Sequence, residues 1–239
     1  MSHHLSQEKP VVVGYDGSQA SRAALQWAAV QAQREHAPLR IVEAFELIVS
    51  VRPGEGRVPL EALRENREHA LAIVADGIKL KYQGLSVSTV LVEESSASAL
   101  ITESSNARLL VLGSRGLGGW RGLLIGSVSA QVSAHAHCPV VVMPADVRPR
   151  AHDKPTIVVG VDGSKVSAQA VDFAFDQAAA TGARIVAAHA WHSPASTYEG
   201  GFGPLMFDEA EVEEASRLLV AESLGGPSRT TPTSRSRRD

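Results

Sequence analysis

The residues best suited to chemistry in this chain are a set of spaced glycines, a serine and an aspartate. Gly113, Gly116, Gly126 and Ser127 follow the spacing Gly-x2-Gly-x9-Gly-Ser, with Gly118 and Gly119 between them. Glycines can take backbone angles closed to other residues, so successive amides can turn toward an anion. Gly126, Ser127 and Val128 stand where a helix is expected to start, and the free amides and positive dipole end there favour phosphate. Ser127 adds a hydroxyl and Arg115 a charge. A glycine-rich strand-to-helix loop also serves as a plain tight turn, and the spacing alone leaves both readings open. It is neither of the common nucleotide signatures: no Gly-x-x-x-x-Gly-Lys-Ser/Thr occurs, and no Gly-x-Gly-x-x-Gly follows the first strand.

Asp16 lies in the run Val11-Val-Val-Gly14-Tyr-Asp16-Gly-Ser. An aspartate facing bound phosphates must offset its own repulsion, most simply by holding Mg²⁺. Asp16 is therefore read as a metal or phosphate neighbour rather than as a catalytic base.

These residues need a scaffold that brings positions 16 and 113 together. The run 11–13 is apolar and β-branched and ends in glycine, the mark of a buried strand, and Ser18 can cap a following helix. An alanine-rich helix is expected over 19–35, a strand over 39–45, and a longer helix over 60–82 with Leu60, Leu63, Leu71, Val74 and Ile78 on one face. Strands over 87–92, 109–112 and 140–143 alternate with helices over 97–105 and 127–136. Alternating strands and helices specify an α/β fold with a doubly wound, parallel, five-stranded sheet, here expected to be flavodoxin-like. The first and fourth strands are expected side by side at the switch point, where such sheets bind ligands.

The chain also repeats itself. The run 11–18 returns 146 residues later as Ile157-Val-Val-Gly-Val-Asp162-Gly-Ser164, and Trp27 falls on Phe173. Glu43-Ala44-Phe45 falls on His189-Ala190-Trp191. Residues 1–146 are read as a complete domain. Residues 153–224 are read as a second copy cut short, holding strand, helix, strand and part of the long helix, as after a truncation or a changed reading frame. Over 225–239 the chain turns to Gly, Pro, Ser, Thr and Arg, too polar to bury anything, and is expected to be a disordered basic tail.

The 239 residues are 44% hydrophobic, enough to build cores for two domains. A net charge of −3 gives no electrostatic case for nucleic acid or an anionic membrane surface. No apolar run approaches the roughly 20 residues that span a bilayer. The single cysteine, Cys138, rules out an internal disulfide framework and fits a reducing compartment. With a polar N-terminus lacking the apolar core of a signal peptide, a cytoplasmic protein is expected. His135, His137 and Cys138 tempt a metal reading, but positions two apart on a helix point apart, and they are read as structural.

Taken together, the glycine spacing, the Val-Val-Val-Gly-Tyr-Asp-Gly-Ser strand and the His137-Cys-Pro-Val-Val-Val strand resemble the ATP-binding universal stress proteins. The resemblance covers 10–143 as a complete domain, and the repeat is similar to the tandem members. It implies that Gly14 and Asp16 end the first strand beside the nucleotide, with Asp16 near phosphates and Mg²⁺. It implies that the backbone at Ala44 recognises adenine. Gly113, Ser114, Arg115 and Gly116 would wrap ribose and phosphate, and Gly126, Ser127 and Val128 would bind phosphates from the helix start. Glu43 departs from the histidine usual in tandem members, which would alter the adenine edge. The second copy keeps Asp162 and Ala190 but has no counterpart of the 113–127 segment, so one ATP per chain is expected. The fifth strand of this family commonly pairs across a two-fold, so homodimerisation through 140–143 is expected.

The function implied is a nucleotide-responsive regulator of stress or growth, with slow or no hydrolysis, since no base-and-nucleophile pair is positioned beside the loop. Two other functions fit the sequence less well. A related adenine-nucleotide hydrolase would carry Ser-Gly-Gly-x-Asp-Ser after the first strand, where this chain has Gly-Tyr-Asp-Gly-Ser. A scaffold without nucleotide binding fits poorly with intact Gly113, Gly116, Gly126 and Ser127.

Overall fold

The computed structural model describes residues 8–46, 60–116, 125–145, 155–191 and 209–225. The chain divides into two compact units, Met1–Pro149 and Arg150–Asp239. The first is built from β1 (Val11–Gly14), α1 (Gln19–Arg34), β2 (Leu39–Ala44), α2 (Leu60–Lys81), β3 (Val87–Val92), α3 (Ser96–Ser104), β4 (Leu109–Gly113), α4 (Ser127–His135) and β5 (Val140–Met143).

Its sheet is parallel throughout, in the order β3-β2-β1-β4-β5. Val11 pairs with Leu39 on one side and Leu109 on the other. The expected five-stranded, doubly wound sheet is present, and β1 does lie beside β4. The neighbour relation comes from a 3-2-1-4-5 order. In a 2-1-3-4-5 order β1 would instead adjoin β3.

The central strands read as unbroken apolar runs because helices cover both faces. Val11, Val12 and Val13 are each 0% exposed, as are Leu110 and Val111. Val12, Val42, Leu110 and Leu112 meet Ala97, Leu100 and Val132 in one cluster beneath α3 and α4. On the other face α1 buries Ala20, Ala24, Ala28, Ala29 and Ala32, small side chains that let the helix backbone approach the sheet. That close approach fixes what β4 can carry at its end.

The second unit contains β6 (Thr156–Gly160), α5 (Lys165–Thr181), β7 (Arg184–Ala188) and α6 (Glu209–Gly225). β6 and β7 pair in parallel, Thr156 with Arg184 through Gly160 with Ala188, the same sequence separation as β1 with β2. Val159, Val161, Val171 and Ala174 form its core, with Leu219 and Val220 of α6 packed against them. The repeat extends to helix ends. Gly182 closes α5 at φ +68°, and the matching residue after α1 is His36 at φ +54°. Of the expected tail at 225–239, Gly225 ends α6 and residues 226–239 lie outside the described residues.

Candidate nucleotide site

The site starts at the turn after β1. The Asp16 Oδ1 accepts from the Ser18 amide at 3.0 Å, with Gly17 at φ +78° between them. Ser18 then caps α1, its hydroxyl accepting from the Ser21 amide at 3.1 Å. Ser21 in turn donates its hydroxyl to the Ser18 carbonyl at 3.1 Å and accepts weakly from the Asp16 amide at 3.4 Å. This closed set of short-range bonds follows from Asp-Gly-Ser-x-x-Ser, residue types that bond their own backbone.

The facing half begins at the end of β4. The Ser114 amide donates to Met143 of β5 at 2.7 Å, and the Gly126 amide donates to the Ser114 carbonyl at 2.7 Å. The second bond brings the two ends of the glycine-rich segment together. The buried Ser129 hydroxyl donates to the Gly113 carbonyl at 2.8 Å, tying the first turn of α4 to the end of β4. Ser18 reaches across to the Arg115 carbonyl at 3.4 Å, joining the two halves.

Between them lies a cleft of about 550 Å³, part of it open to solvent. Its apolar lining is Val42, Ala44, Leu100, Leu112 and Val128, with Tyr15. Its polar lining is Asp16, Ser18, Ser21, Ser96, Arg115 and Ser129. Such a mixed lining suits a ligand with a flat apolar part and a charged part. The α4 helix starts at Gly126 without any side-chain cap, whereas Ser18, Ser95 and Ser164 cap α1, α3 and α5. Its first amides and dipole end are left for an anion beside the cleft.

Of the residues expected from the sequence, Gly14, Asp16, Ala44, Gly113, Arg115, Gly116 and Val128 line the cleft. Ser114, Gly126 and Ser127 do not line it: Ser114 is buried behind, and Ser127 stands exposed at the start of α4. Gly118 and Gly119 lie outside the described residues. Tyr15, Ser18, Ser21, Val42, Ser96, Leu100, Leu112 and Ser129 also line it, unexpectedly. A Ser-x-x-Ser cap pattern at 18–21 was a local signal for two of them, but nothing near Ser129 announces its partner at Gly113.

The glycines are needed for reasons other than unusual backbone angles. Neither Gly113 nor Gly116 has a positive φ. A Cβ on Gly113 would fall 2.8 Å from the Ala20 carbonyl carbon and the Ser21 amide nitrogen, so this glycine makes room for α1. A Cβ on Gly116 would fall 2.6 Å from Asp16 Oδ2. The space Gly116 leaves is thus beside the carboxylate. Gly126 is the least constrained, its nearest contact being the Ser114 carbonyl oxygen at 3.4 Å.

That space bears on the metal. Mg²⁺ keeps several waters and is held by one or two carboxylates together with phosphate oxygens. Asp16, with Oδ2 beside an uncovered glycine, fits that role. No group of three His, Cys, Asp or Glu side chains able to hold an ion occurs among the described residues. His135 instead contacts the Gln131 carbonyl, and Cys138 packs on the core, where burial raises its thiol pKa.

Glu43 does not reach the cleft. Alternate strand residues face opposite sides, so Val42 and Ala44 line the site while Glu43 points to the α2 face. There it pairs with Arg67 at 2.5 Å, and Arg67 lies 5.2 Å from the centre of the Phe45 ring. The expected effect on the adenine edge is corrected accordingly. In the second unit the Asp162 turn repeats the geometry, and hydrogen bonds from Ser164, then Ser167, lower the Asp162 pKa to about 2.

The profile of the universal stress protein family matches residues 8–144 and 155–235. A universal stress protein of Mycolicibacterium smegmatis is 34% identical over 225 residues, covering 92% of this chain and 74% of that protein. One from Mycobacterium tuberculosis is 35% identical over 217 residues, covering 87% of this chain and 72% of its own. Among solved structures, a universal stress protein in complex with cAMP superposes with a TM-score of 0.44 at 27% identity, covering 59% of this chain and 100% of that one.

Proposed function

The chain belongs to the universal stress protein family, and from that premise we propose that its first unit binds ATP with Mg²⁺ and acts as a nucleotide-responsive regulator. The observation that carries the reading is the cleft at the β1–β4 switch point, lined by apolar and polar side chains together and by Val128 and Ser129 of the uncapped helix α4. Val42, Leu100 and Leu112 would take adenine, and the β2 backbone at Ala44 would read its edge. Arg115, Gly116 and the first amides of α4 would hold the phosphates, and Asp16 would hold Mg²⁺, which would offset the phosphate charge.

Regulation rather than turnover is supported by how the nearby hydroxyls are used. Ser18, Ser21 and Ser129 are bonded to backbone groups that shape the site, which leaves them poor candidates for nucleophiles. One nucleotide is assigned to the first unit, whose cleft carries the reading. The protein is assigned to the cytoplasm, and no described helix is long and apolar enough to cross a membrane. Homodimerisation is assigned to the β5 edge strand, Val140–Met143.

Titration calorimetry of ATP and GTP, with Mg²⁺ and with EDTA, tests this reading. ATP should bind more tightly than GTP, at one per chain, and Asp16→Asn should remove most of the gain from Mg²⁺. Equal affinity for both nucleotides, or an EDTA effect unchanged in Asp16→Asn, refutes it.

A further inference from the structure

The hydroxyl side chains lining the cleft are not used alike. Ser18, Ser21 and Ser129 are engaged with backbone groups that hold its walls together. Ser96, at the start of α3, is different. Its neighbours are bonded locally: the Ser95 hydroxyl accepts from the Ser98 amide, and the Ser98 hydroxyl donates to Glu94 Oε2 at 2.6 Å. The Ser96 hydroxyl takes no hydrogen bond among the described residues.

Its position follows from the helix. Ser96, Leu100 and Ser104 are spaced by four and share one face of α3. That face turns to the sheet, since Leu100 is 5% exposed and Ser104 0%. A Cβ on Gly14, the last residue of β1, would fall 3.1 Å from Leu100 Cδ1, so Leu100 lies over the strand end. Ser96 is one turn earlier, about 5.4 Å along the axis. A helix joining two parallel strands runs back against them, which puts that turn beyond the end of β1, at the cleft.

The sheet order gives its side. The chain reaches Ser96 four residues after Val92, the partner of Ala44, and α3 then packs on β2 and β1. Arg115 and Gly116 leave β4, on the other flank of β1. Strands are spaced by about 4.8 Å, so the β2 and β4 sides of the cleft stand about 10 Å apart. A nucleotide laid across the strand ends with its phosphates at Arg115 has its nucleoside at Ala44 and Ser96.

We propose that Ser96 is a specificity-determining residue of this cleft, whose hydroxyl hydrogen-bonds the nucleoside half of the ligand and so favours a nucleoside phosphate over an inorganic polyphosphate. The inference rests on the nucleotide reading given above. A hydroxyl both donates and accepts, which suits the mixed groups of a base edge or a sugar.

The test is calorimetry on the full chain with Mg²⁺, comparing Ser96→Thr with Ser96→Val, which differ in the hydroxyl and little in shape. Ser96→Thr should bind ATP within about twofold of the parent, and Ser96→Val about three- to tenfold more weakly, the net effect of one neutral hydrogen bond. The loss in Ser96→Val should be the same factor for ATP, ADP and AMP and absent for tripolyphosphate, a pattern that loosened folding would not give. Equal ATP affinity in the two variants, or a loss that grows with the number of phosphates or extends to tripolyphosphate, overturns the proposal while leaving the nucleotide reading intact. A parent chain that binds no adenine nucleotide overturns both.

Discussion

Gly113→Ala is expected to destabilise the first unit before it affects any ligand. The new Cβ would meet the Ala20 carbonyl carbon and the Ser21 amide nitrogen at 2.8 Å and the Ala20 Cβ at 2.9 Å. Ordinary contacts for such a carbon lie at about 3.5–4.0 Å, so α1 and β4 must separate by several tenths of an ångström or more. Neither wall gives easily. β4 is paired on both sides, and the first turn of α1 is held by the Ser18 cap and the Ser21 bonds. Overpacking of this kind costs about 1–3 kcal/mol. For a unit of this size that lowers the melting temperature by roughly 2–4 °C per kcal/mol. The measurement is thermal unfolding of nucleotide-free protein, because bound ligand would add its own stabilisation. Gly126→Ala, whose nearest contact is at 3.4 Å, serves as the comparison and should melt within a degree or so of the parent. An unchanged melting temperature in Gly113→Ala, with weakened ATP binding, would refute the steric argument and return Gly113 to a phosphate contact.

Other substitutions probe separate parts of the structure. Gly116→Ala sets a methyl against Asp16 Oδ2, the end of a side chain that can swing away. It should leave the melting temperature near the parent value but weaken Mg²⁺-dependent nucleotide binding at least about tenfold, read by calorimetry. His36→Gly relieves a left-handed backbone at the position where the repeat has Gly182, and should raise stability by about 0.5–1 kcal/mol in urea unfolding. The Asp162 pKa is lowered to about 2 in the folded chain, so its contribution is present above the ordinary carboxylate pKa and is lost as pH falls from about 4 toward 2. Unfolding of the second unit followed across that range should lose this dependence in Asp162→Asn.

The strands and the Asp-Gly-Ser turn were legible because their signals are local. Three valines in a row, a glycine, and serines three apart specify a buried strand and a capped helix without reference to distant residues. The glycine spacing showed that residues 113–126 were special but not what they pack against. A Cβ on Gly113 would meet Ala20, and one on Gly116 would meet Asp16, partners about a hundred positions away that periodicity cannot pair. The bond from Ser129 to the Gly113 carbonyl, 16 residues back, was missed because it links a helix to the preceding strand rather than neighbours within one element. Glu43 shows the opposite failure. Strand alternation alone places it on the face away from Ala44, yet its family position suggested the cleft, and only Arg67 on α2 made its true partner plain.

The turn after β1 and its copy after β6 have the same shape. The aspartate-to-serine bonds are 3.0 and 2.9 Å, the return bonds are both 3.4 Å, and each glycine sits at φ +78°. In both units these bonds join residues two to five positions apart, so the shape is a property of the turn sequence itself. Contacts of short sequence separation form early in folding. During synthesis, the Asp16 half of the cleft can therefore take its final form before Gly113 has been made. The site is completed when a late-made half docks on an early one. Nucleotide, bridging the two, should slow exchange more at β4 and α4 than at β1 and the first turn of α1. Ligand binding would then act chiefly on the stage of folding that the second half of the domain contributes.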